Sequence, residues 1–161
     1  MIQNFWKYIL IIFLFSSHLK STEYEITILA TNIANFGGIG EWSFSALLES
    51  EEESILFDTG FDENTVLHNA SLLKKDLSKV EKVILSHFHG DHTGGLIKLR
   101  KTYMNSNPKA FSDVYVAAGF FDQRFDEHSE LRGFIGGFNK VSDFKEKAEN
   151  LGINFIVIDE A

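Results

Sequence analysis

Polar and apolar residues alternate over 24–30, Tyr-Glu-Ile-Thr-Ile-Leu-Ala, and that period of two predicts a β-strand. Two more strands are predicted over Trp42–Glu49 and Ser54–Phe57, joined by the acidic tip Glu49-Ser50-Glu51-Glu52-Glu53. The pattern then becomes helical. Asp62 can open a helix that buries Val66, Leu67, Ala70 and Leu73, with His68 off that stripe on the surface. Val80–Leu85 returns to strand character. Thr93 is placed to cap a helix carrying Leu96, Leu99 and Tyr103 on one face. Further on, Val114–Ala117 predicts a strand, and Gly119–Glu127, with Phe121 and Phe125 four apart, predicts one or two helical turns. Ser142 can cap a helix that turns Phe144, Ala148 and Leu151 inward and stops at Gly152, and 154–158 is a last strand. Strands alternating with helices make this an α/β chain, with no internal repeat and no interdomain linker.

Composition narrows the classes. With 161 residues, 44% hydrophobic content and sixteen Phe, the chain can bury one real core. A formal net charge of −8 and no basic run argue against a nucleic-acid partner, so a small-molecule substrate is expected. Zero Cys excludes disulfides, thiolate nucleophiles and Cys-type zinc sites. At the start, Lys7 precedes the apolar run Tyr8–Phe15 and then Ser16-Ser17. A cation, a short apolar stretch and small residues have the form of a secretory signal. The expected division is therefore 1–21 as signal peptide, or membrane tether through residues 5–17, and 22–161 as the domain. A buried first strand is the alternative for this segment. Export to the periplasm or outside the cell follows from the first reading and a cytoplasmic location from the second.

Two short loops remain. Asn35-Phe36-Gly37-Gly38-Ile39-Gly40 lacks the Lys and Ser/Thr arrangement of a nucleotide loop and is expected to be a turn or a mobile flap. Phe120, Phe121, Phe125, Phe134 and Phe138 either line an apolar pocket or fill the core, the commoner fate of such residues.

The chemistry is concentrated in one place. Ser86-His87-Phe88-His89-Gly90-Asp91-His92-Thr93-Gly94-Gly95-Leu96 holds three of the six histidines within six residues, together with a carboxylate. On an extended segment His87 and His89 point to the same side and can share one ion. Asp91 and His92 lie beyond the turn at Gly90 and can face a second. Imidazole with carboxylate suits zinc, and also iron or manganese. Asp58, at a strand end before Thr59-Gly60, is either a turn residue or a partner that supports a metal ligand.

The run His87-Phe88-His89-Gly90-Asp91-His92 resembles the signature of the metallo-β-lactamase superfamily, and Leu56-Phe57-Asp58-Thr59-Gly60 resembles an upstream motif of that superfamily. Within it the likeness is to the 7,8-dihydropterin-6-methyl-4-(β-D-ribofuranosyl)aminobenzene-5'-phosphate synthase-like group, in which a helix with an Asn, here Asn69, precedes such a run. The resemblance implies an αββα sandwich, two divalent metal ions, Zn2+ or alternatively Mn2+ or Fe2+, and a hydroxide between them that attacks an ester, phosphoester or related bond. It implies His87 and His89 on one ion, Asp91 and His92 on the other, Asp91 also orienting the nucleophile, and Asp58 supporting from behind. A synthase-like transferase, or a non-catalytic metal-binding remnant, are the other activities such a likeness allows. The superfamily also supplies a third His, a bridging Asp and a last His further along. No motif here corresponds to them. His128, the one downstream histidine, sits in a charged run and is expected on the surface. The chain is thus expected to represent mainly the N-terminal half of the sandwich.

Overall fold

A computed structural model describes residues 23–122, 125, 127–130 and 141–159. Its centre is a six-stranded sheet in sequence order: β1 (Glu25–Ala30), β2 (Ser45–Glu49), β3 (Ser54–Phe57), β4 (Lys82–Leu85), β5 (Asp113–Ala117) and β6 (Asn154–Ile158). The first two pairings are antiparallel and the last three parallel. The acidic tip between β2 and β3 closes through Ser50, whose N–H donates to the Glu53 carbonyl at 2.9 Å. The parallel strands are linked by longer excursions that contain helices, as parallel pairing requires.

Register explains which face is buried. Leu47, Leu56, Val83 and Val114 are aligned across β2 to β5, and all four are buried. Against them pack α1 (Thr65–Leu72) through Val66 and Ala70, α3 (Leu96–Tyr103) through Leu96 and Leu99, and α4 (Val141–Glu149) through Phe144 and Ala148. A one-turn helix, α2 (Gly90–Thr93), precedes α3. The opposite face is also apolar, but Ile28 is 45% exposed and Phe57 and Ile84 are each 37% exposed. The described residues therefore build one sheet with one helical layer.

The predicted helix stop at Gly152 is present in full. Gly152 has φ +73°, its N–H donates to the Glu149 carbonyl, and the Ile153 N–H donates to the Ala148 carbonyl. These are the paired bonds of a left-handed helix end. The helix itself starts at Val141, one residue before the expected cap.

Several expectations give way to longer-range contacts. β2 begins at Ser45, not Trp42, and Trp42 is 79% exposed. The reason lies at Phe44, whose backbone is committed to another segment: its N–H donates to the Asp91 carbonyl and its carbonyl accepts from Gly60. Leu73 lies past the end of α1 and is exposed, while the polar Thr65 and Asn69 take the buried positions. Thr93 caps nothing. It is the last residue of α2, and its hydroxyl donates back to the His89 carbonyl. Gly119–Asp122 is a turn and not the start of a helix, closed by the Asp122 N–H on the Gly119 carbonyl. The loop 35–40 is a turn fixed by side chains. Asn69 donates to the carbonyls of Leu29 and Ile39 and accepts from the Ile39 N–H, and His68 bonds the Gly37 carbonyl.

Two residues carry structural roles that their local sequence does not announce. Glu41 accepts from the Phe61 and Asp62 N–H groups and from the Ser43 and Thr65 hydroxyls, which ties the loop after β1 to the start of α1. Arg100, on the buried side of α3, donates to the carbonyls of Leu151, Pro108 and Ala110. Burial works against its charge, and the three carbonyls offset that cost.

Two predictions follow from these contacts. Arg100→Met leaves three carbonyls short of a donor, so it is expected to lower stability by about 3 kcal/mol, measured by urea unfolding. An unchanged midpoint would mean that water satisfies those carbonyls. Gly95 lies so close to the Thr59 carbonyl that an added Cβ collides with it, and one at Gly94 collides with the Phe61 carbonyl. Gly95→Ala is expected to cost about 3 kcal/mol or more by the same measurement, because rigid backbone must move.

Candidate metal centre

β3 and β4 are adjacent and parallel, so their carboxyl ends meet at one edge of the sheet. Asp58 follows β3 there and Ser86 follows β4. Such edges are where open α/β sheets bind ligands. Backbone bonds join the two segments: the Asp58 N–H donates to the Ile84 carbonyl, Thr59 to His92, and Gly94 to Gly60.

Beyond Ser86 the expected extended segment gives way to a bend at His87 and Phe88, closed by the His89 N–H on the His87 carbonyl at 3.1 Å. His87 and His89 face outward, while Phe88 is buried between them against Phe120, Phe121 and Phe144 at ring separations of 5.2, 5.5 and 5.2 Å. This aromatic anchor holds the histidine pair in place. It also assigns Phe120 and Phe121 to the core. Phe125 is exposed, and Phe134 and Phe138 lie outside the described residues. At Gly90 the chain enters α2, whose turn brings Asp91 and His92 round to the same cluster.

Three of the expected donors, His87, Asp91 and His92, come together, and His89 adjoins them through His87. His87 Nε2 lies 3.1 Å from His89 Nδ1, and His92 Nε2 lies 3.5 Å from Asp91 Oδ2. Ligand atoms of His87, Asp91 and His92 all fall within 4.8 Å of one another, the one such cluster among the described residues. Two donors about 2.0–2.1 Å from a tetrahedral zinc stand roughly 3.3 Å apart, so each pair has the spacing of two ligands on one ion. The donor chemistry, three imidazoles and a carboxylate, fits zinc equally well. Burial first, then the neighbouring His92 and His89, hold the His87 pKa below the usual imidazole value. A neutral His87 is the form that can accept an ion.

Asp58 stands behind this cluster. It is 1% exposed and accepts from the Ser86 N–H at 2.8 Å, the Ser86 hydroxyl at 2.7 Å and His92 Nδ1 at 2.7 Å. Its φ of +53° is unusual for a residue other than Gly, and such strain collects at functional sites. His128 is exposed beside Glu127 and is not part of the cluster. His68 is exposed and committed to the Gly37 carbonyl. The local sequence offered no signal for Glu41, which steadies the loop that reaches Asp91 through Phe44.

Comparison with known proteins identifies the family and fold. The chain is 32% identical over 123 residues to 7,8-dihydropterin-6-methyl-4-(β-D-ribofuranosyl)-aminobenzene-5'-phosphate synthase of Methanocaldococcus jannaschii, covering 72% of this chain and 39% of that protein. It is 38% identical over 93 residues to ribonuclease Z of Thermococcus onnurineus, covering 50% of this chain and 29% of that one. Among solved structures, Tm1679, a metal-dependent hydrolase of the β-lactamase superfamily, superimposes with a TM-score of 0.51 at 25% identity, covering 86% of this chain and 43% of that one. Human tRNase Z, short form, shares the fold with a TM-score of 0.51 at 20% identity, covering 85% of this chain and 44% of that one. The chain spans about two fifths or less of the length of these curated relatives. Residues 43–152 match the metallo-β-lactamase superfamily as a whole, so sheet edge, donor cluster and sequence point the same way: the chain belongs to the metallo-β-lactamase superfamily.

Proposed function

We propose that the chain carries the first metal-binding segment of a hydrolase acting on an ester, phosphoester or related bond of a small molecule. The convergence of His87, His89, Asp91 and His92 at one sheet edge supports this reading most directly. His87 and His89 would hold one divalent ion, and Asp91 and His92 the other, with zinc the best fit to the donors. Such ions, when bound, supply Lewis acidity that activates water at neutral pH and offsets developing negative charge. The remaining steps belong to the protein. Asp91 presents a partly exposed carboxylate that can orient an attacking water, and Asp58 holds His92 in one tautomer by accepting from its Nδ1.

A second reading has support of its own. The relative from Methanocaldococcus jannaschii is named as a synthase, so a transferase that joins a pterin to an aminobenzene ribosyl phosphate is the competing activity. Incubating the protein with both half-substrates separates the two, since a synthase forms the joined product and a hydrolase does not. The net charge of −8 favours a small-molecule substrate over RNA. We also propose export through residues 1–21, which lie outside the described residues; fractionation of expressing cells tests it. No helix among the described residues is long and apolar enough to cross a membrane.

Among the described residues this assignment gives each ion two protein donors, short of the roughly three that a catalytic zinc site uses. Zinc is therefore expected to bind this chain weakly by calorimetry, and phosphodiester or lactone substrates to turn over slowly. Two zinc ions per chain that survive dialysis and support turnover would overturn this. His87→Ala combined with His89→Ala is expected to lower zinc uptake, and an unchanged isotherm would remove those residues from the site.

The pH dependence follows from His87. The unfolded chain takes up the His87 proton near the ordinary imidazole value of 6.5, and the folded chain only at lower pH. Acidification through 6.5 therefore favours unfolding, and the stability difference is complete below the folded value. Zinc affinity is expected to fall on acidification below the ordinary imidazole range, as protons compete for the His87 nitrogen. A titration that is flat from pH 5 to 8 would contradict this.

A further inference from the structure

Ser86 lies between the buried carboxylate and the first histidine, and its contacts form a directed chain. Its hydroxyl is 2.7 Å from Asp58 Oδ2, 3.0 Å from His87 Nδ1 and 3.5 Å from His92 Nδ1. Asp58 Oδ2 also lies 2.7 Å from His92 Nδ1. A carboxylate only accepts, so the Ser86 O–H and the His92 Nδ1–H both donate to it. A hydroxyl has one proton. With that proton given to Asp58, the Ser86 oxygen can only accept from His87, which must then carry its proton on Nδ1. His87 Nε2 is left as a lone pair, and that atom faces His89 Nδ1 at 3.1 Å.

From this we infer that Ser86 is a positioning residue. Its hydroxyl extends the polarity of Asp58 to His87 and fixes the Nδ1–H tautomer there, so that one carboxylate orients an imidazole on each side of the centre. Asp58 acts on His92 directly and on His87 through Ser86. The purpose of the arrangement rests on the proposed metal role of His87 and His92, but the proton assignment does not. Without the hydroxyl, the Nε2–H tautomer of His87 becomes accessible, because Nε2–H can donate to His89 Nδ1. That tautomer puts a proton on the nitrogen meant to face an ion.

Long-range 1H–15N NMR of the metal-free, full-length protein at pH 7.5 reads the tautomers directly. In the wild-type chain, His87 and His92 are expected to be protonated at Nδ1. In Ser86→Ala, His87 is expected to shift toward Nε2–H while His92 keeps Nδ1–H. Ser86→Thr keeps a hydroxyl and is expected to restore the wild-type pattern at His87. In Asp58→Asn both histidines are expected to lose their preference. A wild-type His87 protonated at Nε2, or a His87 unchanged by Ser86→Ala, would overturn the inference. Zinc titration of the same samples tests the metal reading separately. Ser86→Ala is expected to weaken zinc binding about tenfold, the lower end for loss of a partner behind a ligand. A tautomer shift in a chain that takes up no zinc would leave the relay standing and remove the metal role. Tight zinc binding unaffected by a tautomer shift would uphold the metal role and remove the purpose assigned to Ser86.

Discussion

The structure depends most on one buried charge. Asp58 is almost wholly removed from water, and a carboxylate placed there is tolerable only if its oxygens are occupied. The Ser86 N–H and hydroxyl and His92 Nδ1 meet that requirement. All of them come from the segment after β4, so satisfying the charge also fixes where that segment lies relative to β3. Function and folding share this interaction. Whatever holds Asp58 in place holds the donor cluster in place too.

Backbone contacts make the arrangement rigid. The segment after β3 and the segment after β4 exchange bonds at Thr59–His92 and Gly94–Gly60, at 2.7 and 2.9 Å. Carbonyl oxygens of Thr59 and Phe61 press against Gly95 and Gly94, where no side chain fits. The glycines after His92 therefore serve approach, which lets the end of α2 sit directly on the Asp58 turn. Phe88 supplies the apolar counterpart: it is buried at the bend while His87 and His89 stay half-buried on either side of it, so burial of one ring helps to orient two others.

The parts legible in the sequence are those governed by a short period. Strands such as β4 and β5 were readable because burial alternates along them, and α1, α3 and α4 from spacing of three and four. The His87–His89 pair is adjacent as expected, but through a bend closed by the His89 N–H on the His87 carbonyl and not through strand alternation. What was not legible is decided by partners distant in the chain. Nothing near Trp42 tells that the backbone of Phe44 will bond Asp91 and Gly60 and delay β2 to Ser45. Thr93 looks like a cap until the preceding turn proves helical, after which its hydroxyl returns to His89. Arg100 and Glu41 look like ordinary surface charges, since the carbonyls and N–H groups they satisfy lie in other elements. Ser86 is visible as a letter of the motif, but its task needs the position of Asp58, twenty-eight residues earlier in the chain.

The open sheet face and the short donor set are physically connected. Phe57 directly precedes Asp58, and Ile84 comes two residues before Ser86, so the exposed apolar row runs up to the edge where the donors stand. A layer packed on Ile28, Phe57 and Ile84 would arrive at that edge, and the drive to bury apolar area would deliver its residues beside His87 and Asp91. At that edge Asp58 holds the start of the donor segment through Ser86 and its end through His92, so the geometry of the cluster is set by the fold itself.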